Sequence, residues 1–412
     1  MDTILHGISA LQYHRTPPLI RSIDLPRSSG GVTGATGASA PNLAPRANSP
    51  HDAKVLQANL FGALKGVALP AHVVSRGRSR SRSPHIIWHD LDLDYPKADL
   101  QRVADDLLVT TPERTLFDLA SRLTLMQLAR LVFEMCGIHA IVPQTSRLAF
   151  ACDELIERGA LRPRMPRSIF AFLDCDGRPI YSPERQRAQT SALPSWEPCF
   201  DKQETLTDLW KRPPLISVGM LGDFARVIEA AGPHRGTSRF RRAVDLVIPG
   251  SASPAETRFA LLAFMPRKLG GEALPRPHLN RQLRLCDEAA RALGHPLCVG
   301  DVLWGDGMGG TLPVCVEIDG AAFHDSSGTS RGTPIARRDD SARANAIRAS
   351  GFEVISVTHS QMANIDRWEL LMNNVAGALD MERRAQTPAF IRQRARLRKE
   401  LFGPPVSYGV GV

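Results

Sequence analysis

Leu297-Cys-Val-Gly-Asp301-Val-Leu-Trp304, then Gly305-Asp-Gly-Met-Gly-Gly310, then Thr311-Leu-Pro-Val-Cys-Val-Glu317-Ile-Asp319-Gly320 and Ala-Ala-Phe-His324 is the stretch from which the fold is read. It has the form of two short apolar strands around a glycine-rich turn, with acidic side chains at alternating positions inside them. A carboxylate in such a strand is costly unless something cationic meets it. If residues 305–310 form the hairpin loop, Asp301 lies opposite Cys315 with Glu317 as its diagonal neighbour. Side chains alternate along a strand, so Asp301, Glu317 and Asp319 then share one sheet face, and Val302, Val316 and Ile318 point to the other. Three acids on one face are candidate ligands for a divalent metal. The reading depends on register, because a slip of one residue would part Asp301 from the other two. It would also fail if an arginine filled the ion's place.

The chain around this stretch has 412 residues, 43% hydrophobic and 23% charged, enough for at least two domains. Lysine and arginine exceed aspartate and glutamate by 51 to 42, a surplus of nine that suits a polyanionic partner better than a membrane. Seven cysteines at unpaired spacings suggest neither a zinc site nor a disulfide framework. No apolar run approaches a membrane span, and Met1–Leu19 lacks a signal-type apolar core, so the expected location is cytoplasmic.

The hairpin belongs to a region with a legible order of elements. Ser253-Pro254-Ala-Glu256 starts a helix, with Leu261, Leu262 and Phe264 as its apolar stripe. Glu256 reads in two ways: as the acid of a capping box with Ser253, or as a further ligand of metal or water leaning toward the hairpin. A helix from Thr333-Pro334 to a Gly351 cap, a strand Phe352–Thr358 and a helix carrying Trp368, Leu371 and Val375 follow. The fold class is therefore mixed α/β (α+β).

Further out, residues 1–27 read as an N-terminal arm and 28–50, rich in Gly, Ser, Ala and Pro, as a flexible linker. Residues 51–250 read as helix-rich, with strands near Ala71–Val74 and His85–His89 and an irregular, proline-broken insertion at about 180–215. Between those strands, Arg76 to Arg82 is either a phosphate-touching loop or a solvated turn. Thr111-Pro112-Glu113 opens a capped helix whose buried face is Leu116, Phe117, Leu119, Ala120 and Leu123. Arg239, Arg241 and Arg242 are candidates for nucleic-acid contact, or for an exposed basic helix face. Residues 251–382 form the domain built on the hairpin. The remainder, 383–412, is a basic tail in which Arg383, Arg384, Arg392, Arg394, Arg396, Arg398 and Lys399 stand against Glu382 and Glu400.

The set Ser-Pro-x-Glu256, Asp301, Val-Glu317-Ile-Asp319-Gly-x-x-x-His324 and Asp340-x-x-Arg343 before Gly351-Phe-x-Val-Ile resembles the very-short-patch-repair branch of the PD-(D/E)xK restriction-endonuclease-like superfamily. That resemblance implies a mixed sheet flanked by helices, with Asp301 and Glu317 holding Mg²⁺ (or Mn²⁺) against a scissile phosphate. Asp319 stands where many relatives have a lysine. The short-patch-repair relatives also lack it and use nearby histidines, which gives His324 the implied role of proton shuttle, with Arg338 or Arg343 as further substitutes. Each has a plainer alternative: Asp319-Gly320 a strand-ending turn, His324 a loop histidine, Asp340 and Arg343 a surface ion pair. Upstream, His72-Val-Val, Thr-Pro-Glu113-Arg-Thr115-Leu-x-Asp118-Leu-Ala and Arg241-Arg242-Ala243 are similar to the abortive-infection antitoxins of type IV toxin–antitoxin systems.

The expected function is metal-dependent phosphodiester hydrolysis in nucleic acid, double-stranded DNA foremost, with Asp301, Glu317, Asp319, His324 and Glu256 as site residues. Arg338, Arg343, Arg239, Arg241, Arg242, Arg394 and Arg398 are the expected phosphate contacts. A silent nuclease fold serving as a DNA-binding regulator or antitoxin, with a toxin partner, is the alternative. Whether two chains pair to cut both strands is left open.

Overall fold

The computed structural model describes residues 2–23, 51–74, 84–89, 95–162, 172–173, 179–180, 196–201, 203–305, 313–319 and 334–403. The 28–50 linker, the Arg76–Arg82 loop, much of the 180–215 insertion and His324 lie outside them. The chain divides into two units: Met1–Ser121 with Ile141–Arg167 and Asp208–Trp210, and Arg122–Ala140 with Ser168–Thr207 and Lys211–Val412.

In the first unit, β1 (Thr3–Leu5), β2 (Ala71–Val74), β3 (Ile86–His89), β4 (Leu100–Ala104) and β5 (Leu107–Thr110) form one sheet in the order β3-β2-β1-β5-β4. The N-terminal residues are thus not an arm but its middle strand, antiparallel to β2 and parallel to β5. Three residues were too few to show a period in the sequence, yet Thr3, Ile4 and Leu5 are all buried. The two sheet faces differ in size. Leu5, Ala71, Val73, Ile86, Leu107 and Val109 join Leu56, Leu60, Leu64 and Val67 in the larger core, whereas Ile4, Val74 and Tyr95 make a small cluster on their own. Helix α1 (Gly7–His14) leaves β1 through Gly7 at φ +55, a left-handed turn that suits glycine. Helix α2 (Pro112–Ala120) follows β5, and Thr111 caps it as its sequence predicts, accepting from Arg114 N–H. This unit is less helical than the sequence suggested.

In the second unit, α3 (Leu125–Met135) has a full capping box from Thr124 and Gln127, and α4 (Thr237–Leu246) buries Phe240, Ala243 and Val244. Helix α5 (Pro254–Phe264) then leads into β6 (His278–Arg284), β7 (Leu297–Trp304) and β8 (Val314–Ile318). After α6 (Pro334–Ala349) comes β9 (Glu353–Val357), then α7 (Ile365–Ala378) and α8 (Pro388–Phe402). The sheet order is β6-β7-β8-β9, antiparallel as far as β8, with β9 parallel to β8. Strand β6 is an addition to the predicted order, because Asn280, Arg281 and Arg284 interrupt its apolar alternation.

The hairpin register differs from the sequence reading by two residues: Leu303, not Asp301, lies opposite Cys315, and Val302 opposite Val316. Pro313 explains the longer connection, since it brings no N–H to a ladder and β8 starts only after it. A slip of two residues keeps every side chain on its own face. Leu303, Cys315 and Val354 therefore pack with Ala346 and Ile347 of α6, while Phe259 of α5 stacks edge-on against Trp304 and Trp368.

Within the basic tail, Pro388–Phe402 form helix α8, with Phe390, Arg394, Leu397 and Leu401 buried. Gly270 allows its close approach: a Cβ there would lie 2.5 Å from the Gln393 carbonyl. Among the described residues no helix is long and apolar enough to cross a membrane. Six described cysteines are free, and Cys136, Cys152, Cys298 and Cys315 are buried.

Candidate functional site: an acidic pair on one arginine

Asp301 and Glu317 come together as their alternation required. They meet on a single atom, Nη2 of Arg343, which lies 3.3 Å from Asp301 Oδ1 and 2.6 Å from Glu317 Oε2. The Val299 carbonyl accepts from the same nitrogen at 2.6 Å. Strand β7 supplies Val299 and Asp301, β8 supplies Glu317, and α6 lays Arg343 across them. Ile318 N–H holds the second Asp301 oxygen at 2.8 Å, and Cys315 Sγ–H donates to Glu317 Oε1 at 3.2 Å.

Burial and the neighbouring Asp301 raise the Glu317 pKa, against the opposing pull of Arg343. For Arg343, burial works against the charge, but Asp301 and Glu317 outweigh it and hold the guanidinium pKa above its ordinary value. An arginine thus takes the place that the sequence reading kept for an ion, the outcome which that reading set against a metal site. Its seat is poor. Nη2 carries all of these contacts, while Nε is buried and has no partner.

Glu256 completes half of its capping alternative: Ser253 Oγ accepts from its N–H at 3.2 Å, but its carboxylate turns to groups other than the Ser253 N–H. One oxygen accepts from Ala252 N–H at 2.7 Å and from the Asn280 amide, the other from Ser253 Oγ at 2.9 Å. The carboxyl is nonetheless within electrostatic reach of Asp301. Burial first, then Asp301, push its pKa up to about 7, with Lys211 opposing. Asn280 is a residue that sequence reading missed. It is buried in mid-strand at φ +50, and also donates to the Gly250 carbonyl at 2.9 Å. An asparagine interrupting an alternating strand was the available signal.

The other candidates scatter. Asp319 lies one residue beyond β8, exposed, with its N–H on the Val357 carbonyl at 2.8 Å. Arg338 is on α6, but its side chain, like His324, lies outside the described residues. Arg239 donates to the Leu123 carbonyl at 2.7 Å, Arg241 pairs with Asp245 at 3.2 Å, and Arg242 is exposed.

Two of the expected phosphate contacts face inward. Arg394 is 4% exposed and sits between Glu369 and Glu272. Arg383 reaches the same two acids at 2.8 and 2.7 Å, and Trp368 donates to Glu272 at 3.0 Å. Arg398 donates to the carbonyls of Met362 and Ala363, the latter at 2.7 Å. A basic helix with leucine at Leu397 and Leu401 buries the arginine that falls on the leucine face, a consequence of helical period that a charge count overlooks.

The first unit holds a second polar cluster. His72 and His89 stand on neighbouring strands and His6 directly follows β1 as the N-cap of α1, with His72 Nδ1 2.9 Å from His89 Nε2. His6 Nδ1 lies 2.7 Å from the Tyr95 hydroxyl and 3.1 Å from Asp118. Asp118 also accepts from Tyr95 at 3.0 Å and from Arg114 Nε at 2.9 Å, and Arg114 reaches Asp99 at 3.4 Å.

Among the described residues no group of three or more His, Cys, Asp and Glu is placed to hold a metal. Two carboxylates and a carbonyl converging on one positive atom are nevertheless hard oxygen donors, the chemistry that Mg²⁺ and Mn²⁺ take. Mg²⁺ commonly uses one or two carboxylates and completes its shell with water and phosphate. A scan against protein-family models finds no match to this chain, nor do searches of the curated proteins and of the solved structures.

Proposed function

We propose that the second unit is a metal-dependent phosphodiesterase of the restriction-endonuclease-like kind acting on nucleic acid, with DNA as the expected substrate. The supporting observation is the convergence of Asp301 Oδ1, Glu317 Oε2 and Val299 O on one cationic point. A mixed sheet flanked by helices agrees with the same reading.

In this reading Asp301 and Glu317, with the Val299 carbonyl, hold Mg²⁺ or Mn²⁺, which when bound stabilises charge on the phosphate and activates water. The chain's own parts in the reaction are positional. Ile318 N–H fixes the Asp301 carboxylate through Oδ2, so that Oδ1, which faces Arg343, would be the oxygen offered to an ion. Arg343 is the cation beside the acids where Asp319 stands in the usual place of lysine, suited to a phosphate oxygen. Glu256, its pKa raised to about 7 by burial and by Asp301, is held by Ser253 and Asn280 within electrostatic reach of the acidic pair.

A second reading has its own observation. Arginine in the ion's place neutralises the acids without metal, which favours a silent nuclease fold that binds nucleic acid as a regulator or antitoxin. Cleavage assays over DNA and RNA forms in Mg²⁺ and Mn²⁺, beside Asp301→Ala, separate the two. Hydrolysis by the natural chain and loss of at least about a hundredfold in the variant is the expected result. Binding without cleavage, indifferent to chelator and to the substitution, would establish the regulator reading instead.

A further inference from the structure

We propose that Arg343 is an exchangeable counter-ion. In the free protein it bridges Asp301 and Glu317, and on binding it transfers to a backbone phosphate of the nucleic acid, so that divalent metal and substrate enter the site together. The inference rests on the hydrolase reading above and adds its regulation.

The geometry of the guanidinium carries the argument. Arginine pairs best with an oxyanion through two parallel N–H···O bonds. Here Nη2, with two hydrogens, faces three acceptors, namely Val299 O, Asp301 Oδ1 and Glu317 Oε2. Nε, the other natural tooth of a fork, is buried without a partner. A charged donor left in that state is a standing cost, and a phosphate gripped through the Nε edge would remove it.

Access and charge agree with the exchange. The Arg343 side chain is 36% exposed, against 18% for Asp301 and 15% for Glu317, so solvent reaches the arginine more than the acids it covers. Arg343 projects from the middle of the sixteen-residue helix Pro334–Ala349. Rotation of its long side chain can therefore trade partners without moving the backbone. Once the guanidinium leaves, two neighbouring carboxylates are left uncompensated, a state that a divalent ion relieves. Arginine on the acids and metal on the acids exclude each other, whereas arginine on phosphate and metal on the acids are mutually favourable. Linkage then requires metal to tighten nucleic-acid binding by the same factor as nucleic acid tightens metal binding.

The test is Mn²⁺ binding followed by electron paramagnetic resonance of the free ion, on the full chain, with and without a short DNA duplex and with a duplex-only blank. Arg343→Ala and Arg343→Gln are measured in parallel, each checked by circular dichroism, so that one folded variant suffices. Without DNA the variants are expected to bind Mn²⁺ about tenfold tighter than the natural chain. Duplex is expected to raise the natural chain's affinity by a similar factor and to leave the variants unchanged.

Equal Mn²⁺ affinity in all three proteins without DNA would overturn the exchange while sparing the metal site. A natural chain gaining nothing from duplex would do the same. Failure of every protein to bind Mn²⁺ under any condition would overturn the hydrolase reading together with it.

Discussion

Arg114 and Arg343 each lie against two carboxylates, and the difference in how they do so separates a structural cluster from a reactive one. Arg114 puts Nε on Asp118 and Nη1 on Asp99, and covers the rings of Tyr95 and Phe117. Asp118 is in turn taken up by His6 and Tyr95. That network is closed, and the Arg114 side chain is 9% exposed. Arg343 loads one nitrogen, leaves another buried and empty, and is four times as exposed, at 36%. Closed networks hold a fold together, whereas a part-exposed side chain that keeps a buried donor unmet is free to change partners.

Removing one acid from each site gives the sharpest contrast. Asp118→Ala strands Arg114, His6 and Tyr95 in a buried setting, and is expected to cost about 3–5 kcal/mol in urea unfolding. Asp301→Ala forfeits the Ile318 contact and the longer of the two Arg343 ion pairs but eases repulsion on Glu317 and Glu256, so a loss of about 1 kcal/mol or less is expected. Equal losses would remove the distinction between the two sites.

Arg394 tests whether the closed type also holds the C-terminal helix. It has two acids and Gln386 as partners and is almost fully buried. Arg394→Ala should cost about 2–4 kcal/mol and open α8 to limited proteolysis. Unchanged proteolysis would return α8 to the status of a loose tail.

These contrasts also show what could be read in the sequence. The acidic pair was legible because period two is strict: even with the hairpin longer by two residues, Asp301 and Glu317 stayed on one face. The capped helices at Thr111 and Ser253 were legible because their signals are local. Strand β1 was not, since three residues carry no period and its partners lie some seventy to one hundred positions away. The arginine between the acids was equally hidden. Arg343 was read as half of a surface pair with Asp340 or as a substitute for the missing lysine, whereas its seat between the acids depends on how α6 crosses the sheet, which no local pattern encodes. Arg394 and Arg398 were misjudged because charge was counted without phase.

A pH measurement probes the acidic side of the contrast. The Glu256 carboxyl has a higher pKa folded, about 7, than an ordinary glutamate has unfolded. Between those values the folded state binds more protons than the unfolded one, so this group's contribution to stability is present at acid pH and lost as pH rises toward and through 7. Glu256→Gln cannot titrate, and its difference in stability from the natural chain should shift in the variant's favour by about 2 kcal/mol between pH 5 and pH 8. Urea titrations at the two pH values measure it. A pH-independent difference would mean that Asp301 and burial do not act on Glu256 as the structure indicates.

The smallest effect concerns the outer face of α8, where arginines differ from Arg394 only in helical phase. Arg392, Arg396 and Lys399 are exposed at spacings of four and three, one stripe on the side opposite Leu397 and Leu401. Arg396 pairs with Glu400 at 3.5 Å, with 75% of its side chain exposed. A pair of that kind contributes little, so Arg392→Ala and Arg396→Ala should each change unfolding free energy by no more than about 0.5 kcal/mol. Their effect belongs to binding. If this stripe follows a nucleic-acid backbone, each substitution lowers the slope of log affinity against log salt by nearly one, while Arg394→Ala, measured where it remains folded, leaves the slope unchanged. Anisotropy titrations of a labelled duplex over a salt series read the slope directly. Identical slopes for all three variants would assign the stripe to solvent and leave nucleic-acid contact to the arginine between the acids.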